Sequence, residues 1–156
     1  MAVEDVDTKL VAADVTLIFA YSFARTLFTI LASPDFEGWL APVRSDPVRL
    51  EATVGFASSW AVAWLACGLA LGSFARGVDD ASTARVGTRG ALNCFAAAAI
   101  CWFALALGLP PELEPVSRAL GVVFSADSAT AAVGLGGCLV LWRRVLADRS
   151  GNGWWW

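Results

Sequence analysis

The stretch SSWAVAWLACGLALG, residues 58–72, decides the fold because it carries no charged side chain. Trp60 and Trp64 lie one helical turn apart in it, and Gly68 and Gly72 continue the same spacing. In lipid there is no hydrophobic driving force for helices to associate, so membrane helices often pack through small residues spaced four apart. The stretch therefore predicts the greater part of a transmembrane helix.

The composition of the whole chain agrees with a membrane protein. Of the 156 residues, 58% are hydrophobic and only 16% are charged, whereas charged residues approach a quarter of a soluble protein. Four apolar stretches approach the roughly 20 residues that a spanning helix needs. We therefore predict an all-α, integral membrane bundle and one membrane domain over 1–156, with transmembrane helices over 10–31, 51–74, 88–109 and 125–146.

Two further segments complete this organisation. Residues 114–124 predict a short helix at the membrane surface before the last span, and residues 147–156 form a C-terminal tail. The tail ends in Trp154, Trp155 and Trp156, and indole rings favour the membrane interface or an apolar groove. We expect the three rings to dock on the headgroup layer or on a neighbouring subunit, the alternative being a disordered tail.

The basic residues set the expected orientation. With four spans, both termini share a side with the second loop, and the side that is richer in Lys and Arg faces the cytoplasm or its plastid equivalent, the stroma. Arg44, Arg49 and Arg118 fall on the opposite side. The termini are therefore expected on the stromal side, which carries Lys9, Arg76, Arg85, Arg89, Arg143, Arg144 and Arg149.

Charged residues inside the first span require partners. Asp14 and Arg25 share a helix face but lie about 16 Å apart along the axis, so they cannot pair with each other. Glu51, at the same end of the second span, is the expected ion-pair partner of Arg25. A salt bridge between helices is the favoured interpretation, with a proton or ion path and contact with another subunit as alternatives.

Other side chains are candidates for helix packing or for pigment contacts. Gly68 and Gly72 offer a smooth groove for a helix of the bundle or, alternatively, for a flat cofactor beside Trp60 and Trp64. Buried amides and carboxyls need hydrogen bonds, and chlorophyll magnesium accepts oxygen ligands. The polar candidates for interhelical bonding, or for a pigment contact, are Asn93, Asp127 and Asp14.

The chain lacks the residues that several functional classes require. The chain has no histidine and Met1 is its one methionine, which removes the usual haem and transition-metal ligands. The four cysteines lie in apolar runs without C-x-x-C spacing. A net charge of −3 offers no basic stripe for nucleic acid. We expect a protein that is not an enzyme and holds no catalytic metal.

Three stretches resemble a known family, namely WAVAWLACGLALG at 60–72, RGALNCFAAAAICWFALALGLPPELEP at 89–115 and SATAAVGLGGCLVLWRRVL at 128–146. They are similar to the small bacterial and plastid membrane proteins known as domain-of-unknown-function family 3054. The shared features are Trp64 with Gly68 and Gly72, then Gly108 with Pro110 and Pro111, and finally Trp142 with Arg143. The family's Gly-Arg-x-Ser-His stretch is replaced here by SFARTLFTILASPDF at 22–36, so a role for that histidine does not carry over.

The resemblance implies a plastid location but no activity. The leading hypothesis is therefore a non-catalytic, structural subunit of a photosynthetic complex in the chloroplast thylakoid. Photosystem I with its light-harvesting antenna is the favoured complex, and chlorophyll, carotenoid and lipid are the expected ligands. The expected partners are photosystem core and antenna proteins. A small membrane carrier or channel is the alternative, and an assembly factor is a third hypothesis.

Deleting residues 151–156 should weaken retention of the chain in its complex, because three tryptophans would no longer dock. The measurement is the stoichiometry of the chain in complexes isolated with mild detergent. Unchanged stoichiometry would contradict docking.

Overall fold

The structure, a computed structural model, describes residues 6–33, 47–75, 84–107 and 126–150. This part of the chain is all-α, with four helices of 24 or 25 residues. They are α1 (Thr8–Leu31), α2 (Pro47–Ala70), α3 (Ala84–Leu107) and α4 (Ala126–Ser150). The surface helix predicted over 114–124 and the terminal tryptophans lie outside the described residues.

The four helices form a ring in which each packs beside the next and α4 returns beside α1. Thr26 of α1 hydrogen-bonds Thr53 of α2, with 2.7 Å between the two hydroxyl oxygens. Further along the same pair, Asp14 meets Trp64, which makes α1 and α2 antiparallel. The contacts of α2 with α3 and of α1 with α4 also run in opposite directions along the two helices. The bundle therefore runs up and down in chain order.

Helix α1 begins two residues before the predicted start because Asp7 caps it. The Asp7 carboxylate accepts hydrogen bonds from the backbone N–H groups of Lys9 and Leu10, at 3.0 and 3.2 Å. The first N–H groups of a helix have no partner within the helix, so a cap of this kind fixes where it starts.

Helix α2 ends at Ala70 rather than at the predicted residue 74. Gly72 has a φ of 70°, a left-handed conformation that glycine adopts without steric cost. The N–H of Gly72 then reaches the carbonyl of Leu69 at 3.3 Å, and that of Ser73 reaches Gly68 at 2.8 Å. This is a Schellman ending. Gly72 therefore lies in a turn, and it is not part of a helical Gly-x-x-x-Gly groove.

The turn after α2 is joined to the residues that precede α1. The N–H of Asp7 donates to the carbonyl of Phe74 at 2.8 Å, and Val6 pairs with Ala75 in an isolated antiparallel bridge. The residue that caps α1 thus also holds the end of α2.

Three glycines provide close seats for aromatic rings. A Cβ atom on Gly68 would collide with the ring of Phe74, which folds back over α2. On α4, Gly134 lies against the hydroxyl of Tyr21 from α1, and Gly136 lies against the ring of Phe95 from α3. Gly134 and Gly136 therefore let α4 approach α1 and α3 closely.

Aromatic side chains fill the space between α2 and α3. The buried ring of Trp60 stacks on Phe95 at 5.9 Å and on Trp102 at 5.5 Å between centroids. Phe56 meets Trp102 edge-on at 6.1 Å. The indole N–H of Trp102 donates to the Ser59 hydroxyl at 3.3 Å.

Two of the helices are long and apolar enough to cross a membrane. They are Thr8–Leu31 and the Val48–Ala70 part of α2. Their length and apolar composition weakly support membrane association.

Substituting Gly136 with Ala should destabilise the bundle by about 1–3 kcal/mol, because the new methyl group would press on Phe95. The matched control is Gly137→Ala one position later, where a Cβ meets open space. Thermal unfolding in one detergent compares the two variants. Equal melting temperatures for the two variants would contradict a close contact between Gly136 of α4 and Phe95 of α3.

Candidate functional site

A buried ion pair between Asp14 of α1 and Arg143 of α4 lies at the centre of the site. The Asp14 side chain is 0% exposed and that of Arg143 is 4% exposed. Arg143 Nη2 donates to Asp14 Oδ2 at 2.7 Å, and Nε lies 3.2 and 3.0 Å from Oδ1 and Oδ2. Two guanidinium nitrogens thus donate to one carboxylate, and charge-assisted hydrogen bonds of this kind are stronger than neutral ones.

Helix α2 and its terminal turn supply the remaining contacts. Trp64 Nε1 donates to Asp14 Oδ2 at 2.8 Å, and Arg143 Nη1 donates to the backbone carbonyl of Ser73 at 2.8 Å. The guanidinium also lies 5.0 Å from the centre of the Phe74 ring, within the range of a cation–π contact. We call these five residues the charged centre: Asp14, Trp64, Ser73, Phe74 and Arg143.

The charged centre lies inside the bundle rather than at its end. Asp14 and Trp64 are each six residues from the end of their helix, which corresponds to about 9 Å along the axis. Cys94 of α3 reaches the same level, where its sulfur lies 3.8 Å from the Trp64 carbonyl. All four helices therefore meet around this polar layer.

The free-energy cost of removing the Asp14 and Arg143 charges from water determines the role of this pair. Moving one charge out of water costs several kcal/mol, and only a close, hydrogen-bonded partner compensates for it. Asp14 is stable as a carboxylate here only while α1, α2 and α4 are all in place. The charged centre thus selects one relative position of three helices.

Asp14 makes the interhelical hydrogen bonds that the sequence favoured over a pigment contact. Its principal partner, however, was missed. The sequence grouped Arg143 with Arg144 and Arg149 among the basic residues at the ends of the spans, whereas its side chain is buried inside the bundle against Asp14. Arg144 remains exposed. Consecutive helical residues point about 100° apart, so adjacent arginines seldom face the same surroundings. The adjacency of Arg143 and Arg144 could therefore have indicated that one of the two faces the interior.

The two tryptophans of the predicted groove have separate roles. Trp64 bonds the carboxylate, whereas Trp60 lies in the aromatic stack. The seat at Gly68 is filled by Phe74 from the adjacent turn, where the sequence had suggested a helix or a flat cofactor. The cofactor contacts assigned to Trp60 and Trp64 remain predictions.

The remaining candidates do not join the charged centre. Asn93 was expected to be buried, but it is exposed on the outer face of α3. Asp127 lies in the first turn of α4, and its side chain is outside the described part. Arg25 is half-buried and Glu51 is exposed; their ion pair remains a prediction, although Arg25 does have an interaction partner.

In the part of the chain that the structure describes, no three His, Cys, Asp or Glu side chains lie close enough together to hold a metal ion.

Comparison of the chain with family models, with curated proteins and with solved structures finds no match. The resemblance to family 3054 therefore remains a hypothesis from the sequence.

Replacing Arg143 with Met should destabilise the protein by about 3–5 kcal/mol, because it leaves the Asp14 carboxylate buried without its cation. Thermal unfolding in detergent measures the loss. The double variant Asp14→Leu with Arg143→Met should recover much of the stability. Arg144→Met is the matched control, since Arg144 is exposed; equal losses at the two arginines would contradict the buried pair.

Proposed function

We propose that the chain is an integral membrane protein in which all four helices cross the bilayer. The large apolar side chains on the outside of the bundle carry this proposal. A buried ion pair lies in the interior, while large apolar side chains project outward from every helix. They include Phe28 on α1, Val62 on α2, Ile100 on α3 and Val133 on α4, which are 60–72% exposed. Such faces are stable against hydrocarbon and are a liability in water.

The lengths of the uncharged segments of α3 and α4 also support a membrane-spanning position for these helices. No charged residue occurs from Gly90 to Leu107 or from Ser128 to Trp142. At 1.5 Å per residue these segments extend about 27 and 22 Å. The hydrocarbon core is about 30 Å thick, and long arginine side chains at the segment ends can reach the headgroups.

The favoured role is that of a non-catalytic structural subunit. The polar interior groups of the charged centre bond to one another, and the outer faces on all four helices are free to contact lipid or neighbouring subunits. A helix bundle of this kind fills the space between larger membrane proteins and fixes their separation.

The proposed assembly is a photosynthetic complex of the plastid thylakoid, with photosystem I and its light-harvesting antenna favoured. This part of the proposal rests on the resemblance to plastid members of family 3054. In that setting the outer faces would contact core and antenna proteins, chlorophyll, carotenoid and lipid. The termini would lie on the stromal side.

A small carrier is the second candidate, since ionisable residues inside a membrane bundle often mark ion or proton paths. The buried Asp14–Arg143 pair is the observation that favours it. A carrier would require this pair to open during transport, whereas a structural subunit requires it to stay closed.

Native gel electrophoresis after mild solubilisation tests the proposed role. We expect the chain to resist alkaline carbonate extraction and to migrate with pigments and photosystem polypeptides. Release by carbonate would overturn the membrane assignment. Migration apart from pigment, together with solute flux after reconstitution of the purified chain, would support the carrier instead. Presence in immature particles only would identify an assembly factor.

A further inference from the structure

The outer face of α3 changes from charged to polar to apolar along its length. Arg89, Asn93, Ala96 and Ile100 follow one another at spacings of three and four residues, and all four are exposed. They therefore form one stripe, which we call the α3 outer face. Arg89 lies at the end of the bundle that carries the charged centre, and Ile100 lies near the middle of the uncharged segment.

Asn93 is the unusual member of the α3 outer face. Its amide has no hydrogen-bond partner among the described residues. The hydroxyls of Thr16 and Thr29, which are also exposed, donate to the backbone carbonyls of their own helix at 2.8 and 3.0 Å. An amide without a partner at the edge of the hydrocarbon is costly, so a polar group from another molecule is expected there.

We propose that the α3 outer face binds one anionic glycerophospholipid. Arg89 would hold the phosphate, and Asn93, about 6 Å deeper, would donate to an ester carbonyl of the glycerol linkage. An acyl chain would then lie over Ala96 and Ile100. This inference rests on the proposed membrane location and names a ligand class for it.

The dimensions and the charge of the face fit this occupant. From Arg89 to Ile100 the helix rises about 16 Å, close to half of the roughly 30 Å hydrocarbon core and hence to one leaflet. Gly90 beside the stripe has open space where a Cβ would lie, which leaves room for the glycerol region. The positive charge of Arg89 complements a phosphodiester.

A second copy of the chain fits the α3 outer face less well. Copies inserted in the same direction are related by an axis along the membrane normal, so a symmetric contact through this face places each residue near its own counterpart. Two Asn93 amides could pair in this way, but two Arg89 side chains would then repel each other one turn away. A phospholipid satisfies both residues at once.

Native mass spectrometry of the full-length protein in detergent tests the proposal. The probes are phosphatidylglycerol and phosphatidylcholine with identical acyl chains. We expect the wild-type protein to bind phosphatidylglycerol more tightly. Arg89→Ala should weaken that binding about fivefold, the equivalent of roughly 1 kcal/mol for one basic contact at a membrane surface. Asn93→Leu, which is apolar and suits an outward position, should weaken the binding of both lipids.

The matched control is Arg144→Ala, because the exposed Arg144 of α4 is followed inward on its face by the apolar Leu141. Equal losses from Arg89→Ala and Arg144→Ala would indicate diffuse attraction and overturn the site. So would unchanged binding in Asn93→Leu, displacement of the lipid by inorganic phosphate, or a dimer that Asn93→Leu converts to a monomer. Release of the wild-type chain by carbonate would refute the membrane proposal, whereas an integral protein without lipid preference would refute this inference alone.

Discussion

The rest of the structure depends on the ion pair between Asp14 and Arg143. These residues are 129 positions apart and sit on the first and last helices of the ring. Because neither charge is stable alone in a dry interior, the pair couples the ends of the chain to each other. Trp64 and the Ser73 carbonyl extend that coupling to α2. The pair selects one arrangement of the helices more than it adds net stability.

The turn after α2 connects this pair to the edge of the bundle. Gly72 allows the chain to reverse, which places Ser73 under the guanidinium and Phe74 between Arg143 and Gly68. The same turn receives the N–H of Asp7, the cap of α1. A single short segment thus combines helix termination, hydrogen bonding of a buried cation and the seating of an aromatic ring.

Large apolar side chains occur both in the interior and on the exterior of the bundle. Small residues allow aromatic side chains to approach the helix backbones closely, as Phe95 does at Gly136. Ile18, Leu135 and Leu139 are buried in the same interior, and further large aliphatic side chains project outward. On the proposed membrane interpretation, the interior is specified by shape and by one charge pair, because lipid removes the hydrophobic drive between helices.

The sequence by itself determined the all-α class, since apolar stretches of about 20 residues and their Pro and Gly boundaries are local features. It also indicated that Asp14 needs a partner, because desolvation follows from depth alone. Only the tertiary structure decided that Arg143 is this partner and that Asn93 faces outward. Those outcomes depend on the rotation of each helix about its axis and on contacts between residues far apart in the chain, which hydropathy and spacing do not encode.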